Sequence, residues 1–454
     1  MKNLALFIPE IREFLEIGAE DRLQRLLQEF HPADIAEIFE ELKLDEKVAV
    51  FRALQDEKAI SVFEQLDTSL QQELLEVLSK KKTVEVLDEM ASDERADLFS
   101  ELEPKTIDRL FRLMKKEEVA DVKKLLKYKE DTAGGIMTTD YVALREETTV
   151  EETTTYLREA VEAETISYIY VVDKEDRLTG VVSIRTFIMA RPNIPISQIM
   201  TRDVVKVSVD TDQEEVAAIV AKYNLLAIPV VEDDNRLVGI VTVDDIIDVI
   251  EKEATEDIYK MTGTSPEEEL LKAPVFKVAF IRLPWLFTFL IGGIIAGFVI
   301  RLFNVTLSEI ITLTFFIPLI MGMAGNVGIQ SSTIIVRGIA IGHIDIDRIK
   351  GILFKEIGIG LIMGGICGVG IGLITPFLRT ETCVVETHLL GIIVGLSIFL
   401  ALTAAAFVGT ISPILFKKLH IDPAAASGPL VTATTDITGL LIYFVLATIL
   451  IKYL

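Results

Sequence analysis

Between residues 31 and 115, large apolar side chains return every twelve positions. Phe39, Phe51, Phe63, Leu75, Leu87, Phe99 and Phe111 form one column; Leu42, Leu54, Leu66, Leu78, Met90, Leu102 and Met114 form a second, three residues further on. A spacing of three keeps both columns on one helical face, and twelve residues hold a helix of about two turns plus a short connection. Asp or Ser stands near the start of several units, where an N-cap belongs. A unit this short cannot bury its apolar face alone, so the pattern predicts stacked helices, an all-α superhelical domain over residues 1–130. Its hand stays open. Pro32 and Pro104, at the same place in the repeat, argue against a single long amphipathic helix.

A second duplication covers residues 131–250. Ile136-Met137-Thr138 returns as Ile199-Met200-Thr201, and the stretch from Ile166 to Gly180 aligns without a gap to Leu225 to Gly239. Each copy reads as a short helix, an apolar strand, an acidic turn and a second strand. The order and the leading Ile-Met-Thr resemble a tandem pair of α/β cystathionine-beta-synthase-type (CBS) domains. Paired domains of that family often hold adenosine ligands, with a Thr and an Asp three residues later on the ribose. By that resemblance the second copy, with Thr242 and Asp245, is the expected site for ATP or another adenine nucleotide, because the first has Ser183 and Thr186 instead. The alternative is a pair that only packs and relays position.

Beyond Gly239 the acids Asp244, Asp245, Asp248, Glu251, Glu253, Glu256 and Asp257 follow at helical spacing, interrupted by Lys252 and ending near Gly263. They predict a charged linking helix, assigned to 251–280. A membrane domain then occupies 281–454, with hydrophobic segments at about 285–303, 310–336, 352–377, 389–415 and 430–451. Each is long enough to cross about 30 Å of hydrocarbon. Gly360, Gly364, Gly368 and Gly372 make a ladder that predicts close helix packing. Arg337, Arg348, Lys350, Lys417 and Lys418 fall in the second and fourth loops, which places the N-terminus in the cytosol and Leu454 outside a plasma (inner) membrane.

Charge sharpens this division. Up to Phe280 the chain carries 61 acidic and 35 basic residues, and after it eight and ten. Such a polyanion repels nucleic acid and attracts divalent cations. No secretory signal is expected at the N-terminus, and Cys367 and Cys383 offer neither a disulfide framework nor a zinc site. The four histidines have no metal-ligand spacing, so an enzyme is not expected.

Asp436 is an acid well inside the fifth segment, beside Thr432, Thr434, Thr435 and Thr438. A carboxylate there should face water, a cation or a protein partner. The second segment has Pro318, expected to free a backbone carbonyl, then the polar run Gly325 to Thr333 with Asn326 and Gln330 on one face. Oxygen donors without sulfur or imidazole suit a hard ion such as Mg²⁺.

Solenoid, CBS pair, acidic linker, five spans, the run from Gly325 to Thr333 with Arg337-Gly338, and Asp422 to Pro429 followed by Asp436 together resemble the MgtE family of magnesium channels over essentially the full length. The resemblance implies a homodimer whose pore lies on the two-fold axis, with hydrated Mg²⁺ held at Asp436. It implies that Asn326, Ala424 to Gly428, Thr432 and Thr435 line the path. It also implies cytosolic Mg²⁺ sites, mapped onto Glu253, Glu256, Asp257 and Asp422, with Asp88 and Asp93 as solenoid candidates. Plentiful intracellular Mg²⁺ would bridge these acids and close the dimer. A proton-coupled divalent exporter and a non-transporting membrane sensor are the competing readings.

Overall fold

A computed structural model describes residues 6–159, 165–264, 274–342, 344, 349–378, 387–425 and 428–452. Ala426, Ser427, Cys383, Arg348 and His343 lie outside the described residues. The chain divides into two compact units, Met1–Val249 and Ile250–Leu454.

In the first unit the twelve-residue repeat becomes helices α1 (Ile8–Glu16), α2 (Glu20–Gln28), α3 (Pro32–Glu40), α4 (Leu44–Ala53), α5 (Asp56–Glu64), α6 (Thr68–Val77), α7 (Lys80–Glu89), α8 (Ser92–Glu101), α9 (Pro104–Phe111) and α10 (Lys116–Leu125). From α2 to α8, a helix packs on the one two places along, α2 on α4 and α3 on α5, which gives a two-layered stack. The columns fill it: Phe39, Phe51, Phe63 and Phe99 are fully buried, and Phe51 meets Phe63 edge-on at 6.1 Å. Asp67 and Ser79 cap α6 and α7 by accepting from Leu70 N at 2.7 Å and Lys82 N at 3.3 Å.

The CBS copies follow. Copy one comprises β1 (Ala143–Arg145), α11 (Val150–Glu159), β2 (Tyr168–Val172), β3 (Leu178–Ser183) and α12 (Ile184–Ile188). Copy two comprises β4 (Val207–Ser208), α13 (Gln213–Tyr223), β5 (Ala227–Val231), β6 (Leu237–Thr242) and α14 (Val243–Thr262). In each three-stranded sheet the first pair is parallel and the second antiparallel. The repeated Ile-Met-Thr motifs cross over. Thr138 exchanges backbone hydrogen bonds with Ile240 of copy two, and Thr201 with Val181 of copy one, all between 2.8 and 3.0 Å. Met137 lies against Gly239 and Met200 against Gly180, so closely that a Cβ on either glycine would come within 2.6 Å of the methionine sulfur. The leading motif of each copy thus completes the sheet of the other, which is why a Gly stands third in each partner strand.

α14 runs without a break from copy two into the predicted linker and ends at Gly263, whose φ of +75° suits a left-handed stop. The second unit then contains α15 (Val275–Leu302), α16 (Asn304–Glu309), α17 (Ile317–Ala340), α18 (Ile349–Ile374), α19 (Thr387–Lys418) and α20 (Gly428–Lys452). Five stretches are long and apolar enough to cross a membrane: Val275–Leu302, Ile311–Ala340, Ile349–Phe377, His388–Lys418 and Gly428–Ile451. The first begins ten residues before the expected segment. Pro318 lies in the first turn of α17 rather than within the helix, where its missing N–H breaks no hydrogen bond. The glycine ladder seats α18 on α19: a Cβ at Gly364 would stand 2.6 Å from the Phe399 carbonyl oxygen, and one at Gly395 would stand 2.6 Å from that of Gly368.

Candidate functional site

Asp436 lies on α20 where that helix faces α17. The hydroxyls of Thr432, Thr434, Thr435 and Thr438 each donate to the carbonyl four residues back, at 2.7 to 3.1 Å, so their protons are already used within the helix. Asp436 Oδ1 is buried and has no hydrogen-bond partner among the described residues. Opposite it stands Gly325, whose absent Cβ would lie 3.4 Å from that oxygen and 3.2 Å from Thr432 Cγ2; one turn on, Gly328 leaves similar room for Thr435. Any side chain at Gly325 would fill the space before the carboxylate. Asn326 donates its amide N–H to Gly322 O at 2.8 Å, which leaves its side-chain oxygen as the acceptor, and both Asn326 and Gln330 are exposed on the single chain. A polar edge on a membrane helix calls for water or a second protein surface against it.

A second cluster forms where α14 meets the turn before α20. Asp422 shapes that turn by accepting from Ala424 N at 2.8 Å. Lys260, one turn beyond Glu256, places its ammonium against Glu256 and 2.7 Å from Asp422 Oδ2. Burial works against the Lys260 charge, but the two carboxylates hold its pKa above the usual lysine range. Burial, then the charges of Asp422 and Glu253, push Asp257 up to about 6. Met261, Gly263 and Gly428 bring the end of α14 onto the membrane helices: Gly263 stands against Trp285 and Pro429, and a Cβ on Gly428 would overlap the Met261 carbonyl oxygen. Among the described residues no three His, Cys, Asp or Glu side chains converge as a metal site. In the single chain Glu256 and Asp422 therefore pair with a lysine, with Asp257 and Glu253 beside them, rather than form a finished cage. Asp88 accepts from Lys115 N at 3.0 Å ahead of α10, and Asp93 is buried in the first turn of α8.

Thr242 and Asp245 form a cap at the start of α14. The Asp245 carboxylate accepts from the Thr242 hydroxyl and from Thr242 N at 3.3 Å, and burial pushes its pKa up to about 6. The corresponding Ser183 and Thr186 hydroxyls lie 2.9 Å apart and line a cavity of about 240 Å³ with Tyr168, Tyr170, Thr201 and Asp203. The Tyr170 hydroxyl is buried without a hydrogen-bond partner among the described residues. Sequence reasoning passed over these tyrosines, although their alternation along β2, where copy two has Ala227 and Pro229, places both on one face.

Two further residues escaped it. Glu356 of α18 is 5% exposed and accepts from Ser331 Oγ of α17 at 2.9 Å. The signal was present, since Glu356 lies four residues before Gly360 and so continues the ladder face. Lys260 was readable as the i+4 partner of Glu256.

Five membrane-crossing helices, two of which enclose a half-buried carboxylate, joined to a solenoid and a CBS pair, define a multi-pass cation transporter with attached regulatory domains. The family model for MgtE, described as a divalent cation transporter, matches residues 317–446; that for the MgtE intracellular N domain matches 30–131, and the CBS domain model matches 133–193 and 196–252. The magnesium transporter MgtE of Thermus thermophilus is 40% identical over 449 residues, 97% of this chain and 98% of its own length. That of Bacillus subtilis is 39% identical over 342 residues, 75% of this chain and 74% of its own. The chain belongs to the MgtE family of divalent cation transporters. Among solved structures, the cytosolic domain of the Mg²⁺ channel MgtE in complex with ATP is 42% identical, with a TM-score of 0.51 over 53% of this chain and 99% of that one. The soluble part of a magnesium transporter gives 32% and 0.52 over 56% of this chain and all of that one.

Proposed function

We propose that the protein is a homodimeric Mg²⁺ channel that admits magnesium down its electrochemical gradient and closes when intracellular Mg²⁺ is plentiful. The observation that carries the reading is the unpartnered Asp436 oxygen facing Gly325. A carboxylate and an amide oxygen are hard ligands that suit a hydrated Mg²⁺ ion. The relatives point the same way, being named magnesium transporters and, for the solved cytosolic domain, a Mg²⁺ channel. The exposed edge of Asn326 and Gln330 supports a second copy across a two-fold axis, because a polar edge on a membrane helix calls for water or protein against it. The N-terminus then lies in the cytosol, where the acidic first unit meets its regulator. In liposomes, a Mg²⁺ gradient alone is expected to drive flux through a protein that weighs as a dimer in mild detergent. Flux that requires a proton gradient would instead establish the exporter, and a monomer that conducts would refute the two-fold path.

The CBS pair is read here as a nucleotide site. The ATP named with the solved cytosolic domain supports an adenine nucleotide, and the cavity beside Tyr170 supports copy one as its place, since the Asp245 carboxylate is engaged in the cap. Calorimetry with ATP on residues 1–258 should show Asp245→Ala within about twofold of wild type. Ser183→Ala with Thr186→Val should weaken binding roughly tenfold, the worth of one or two hydrogen bonds. The opposite ranking would restore Thr242 and Asp245 as the ribose partners.

A further inference from the structure

The second unit buries an acid that the ion path does not use. Glu356 lies near the start of α18, close in sequence to Lys350 and Lys355, which are both exposed. Its own side chain turns inward, because the face it shares with Gly360, Gly364 and Gly368 is the one pressed against α19. Ser331, 3% exposed, donates to it from α17. Among the described residues this hydroxyl is the one hydrogen-bond partner of Glu356, and no Lys, Arg or His pairs with it.

Burying a carboxyl group beside a single neutral donor is unfavourable by comparison with an apolar residue of the same size. The pair therefore calls for a reason other than stability. Its location supplies one. Ser331 lies on the same helix as Gly325, Asn326 and Gly328, and those residues face Thr432, Thr435 and Asp436 or border that face. α18 otherwise meets α19 through glycines and apolar side chains, contacts that tolerate sliding and rotation. A hydrogen bond between α18 and α17 does not, since its geometry is directional.

We infer that Glu356 is a positioning residue for the cation path: through Ser331 it fixes the rotation of α17, and with it the placement of Asn326 and Gly325 before Asp436. It acts by hydrogen bonding and not by charge. The inference rests on α17 and α20 being walls of the path, and its test includes a readout that is independent of transport.

The test uses the full-length protein in liposomes with Glu356→Gln, Glu356→Leu and Ser331→Ala. Glu356→Gln is expected to keep Mg²⁺ flux within about twofold of wild type. Glu356→Leu and Ser331→Ala should lower it roughly three- to tenfold, the span that one interhelical hydrogen bond in a membrane supports, and the double variant should lose no more than either alone. In parallel, Asn326→Cys, in a chain with Cys367 and Cys383 changed to Ser, is labelled with a water-soluble thiol reagent. Glu356→Leu and Ser331→Ala should each change its labelling rate by about threefold or more, and Glu356→Gln should leave it unchanged. A Gln variant as impaired as Leu would overturn the inference by making the charge itself the functional element. Leu and Ala variants identical to wild type in flux and labelling would also overturn it. Wild-type protein that carries no Mg²⁺ would refute the transport reading, while the labelling would still decide this one.

Discussion

Asp436→Asn is expected to lower Mg²⁺ flux roughly 10- to 100-fold at every cytosolic Mg²⁺ concentration. The substitution keeps the shape of a side chain whose Oδ1 has no internal partner, so it removes the charge and little else. Two unit charges about 5 Å apart at an effective dielectric near 20 attract by about 3 kcal/mol. A divalent ion at the two-fold axis would lose twice that attraction from each protomer. Ordered water between ion and carboxylate reduces the effect, which leaves a loss of about 1.4 to 2.8 kcal/mol in occupancy. Single-channel recording separates the causes: a smaller unitary current with unchanged Mg²⁺ inhibition supports the central site, and a normal current removes Asp436 from the path.

The combined change Glu253→Gln, Glu256→Gln and Asp257→Asn should do the reverse, leaving unitary conductance intact and raising the cytosolic Mg²⁺ needed for half-inhibition by about tenfold or more. At the junction of α14 with the turn before α20, one ammonium, that of Lys260, stands among Glu256, Asp257 and Asp422. The charge of Asp422 and the burial of Asp257 show that ionised carboxylates are held there at a cost, which a shared divalent ion would offset. With these three acids neutralised, a divalent ion loses the charges it would bridge at this junction. Recordings with cytosolic Mg²⁺ stepped from about 0.1 to 10 mM bracket the weak affinity of flexible oxygen sites. Unchanged inhibition would place the sensor elsewhere, and a permanently silent channel would mean that mutual repulsion of these acids is what opens the gate.

The parts of the molecule that follow local periodicity were legible in the chain. The twelve-residue columns became the solenoid core, and the glycine ladder became the α18–α19 contact, because each depends on side chains a few residues apart on one face. Asp436 stood out because an acid is costly in an apolar stretch. What was not legible depended on distant partners. The ladder face marks Glu356 as inward, but nothing near it announces Ser331 as its partner. The Thr-x-x-Asp spacing of Thr242 and Asp245 serves a helix cap as readily as a ribose, and only the fold shows the carboxylate turned to the cap. Pro318 reads as a kink until the short 3-10 turn before it, Ile311–Phe316, shows that α17 begins there.

The exchanged Ile-Met-Thr motifs of the CBS copies bear on how such a chain could arise and be taken apart. With Met137 beneath Gly239 and Met200 beneath Gly180, a lone copy has its motif on the wrong side of the joint and an unfilled slot in its own sheet. Two separate copies would satisfy each other, so a symmetric pair of short polypeptides is a workable ancestor, and gene fusion needs only to connect them. By the same logic, cutting the present chain between Arg191 and Pro195 should yield halves that are incomplete apart and reassemble when mixed.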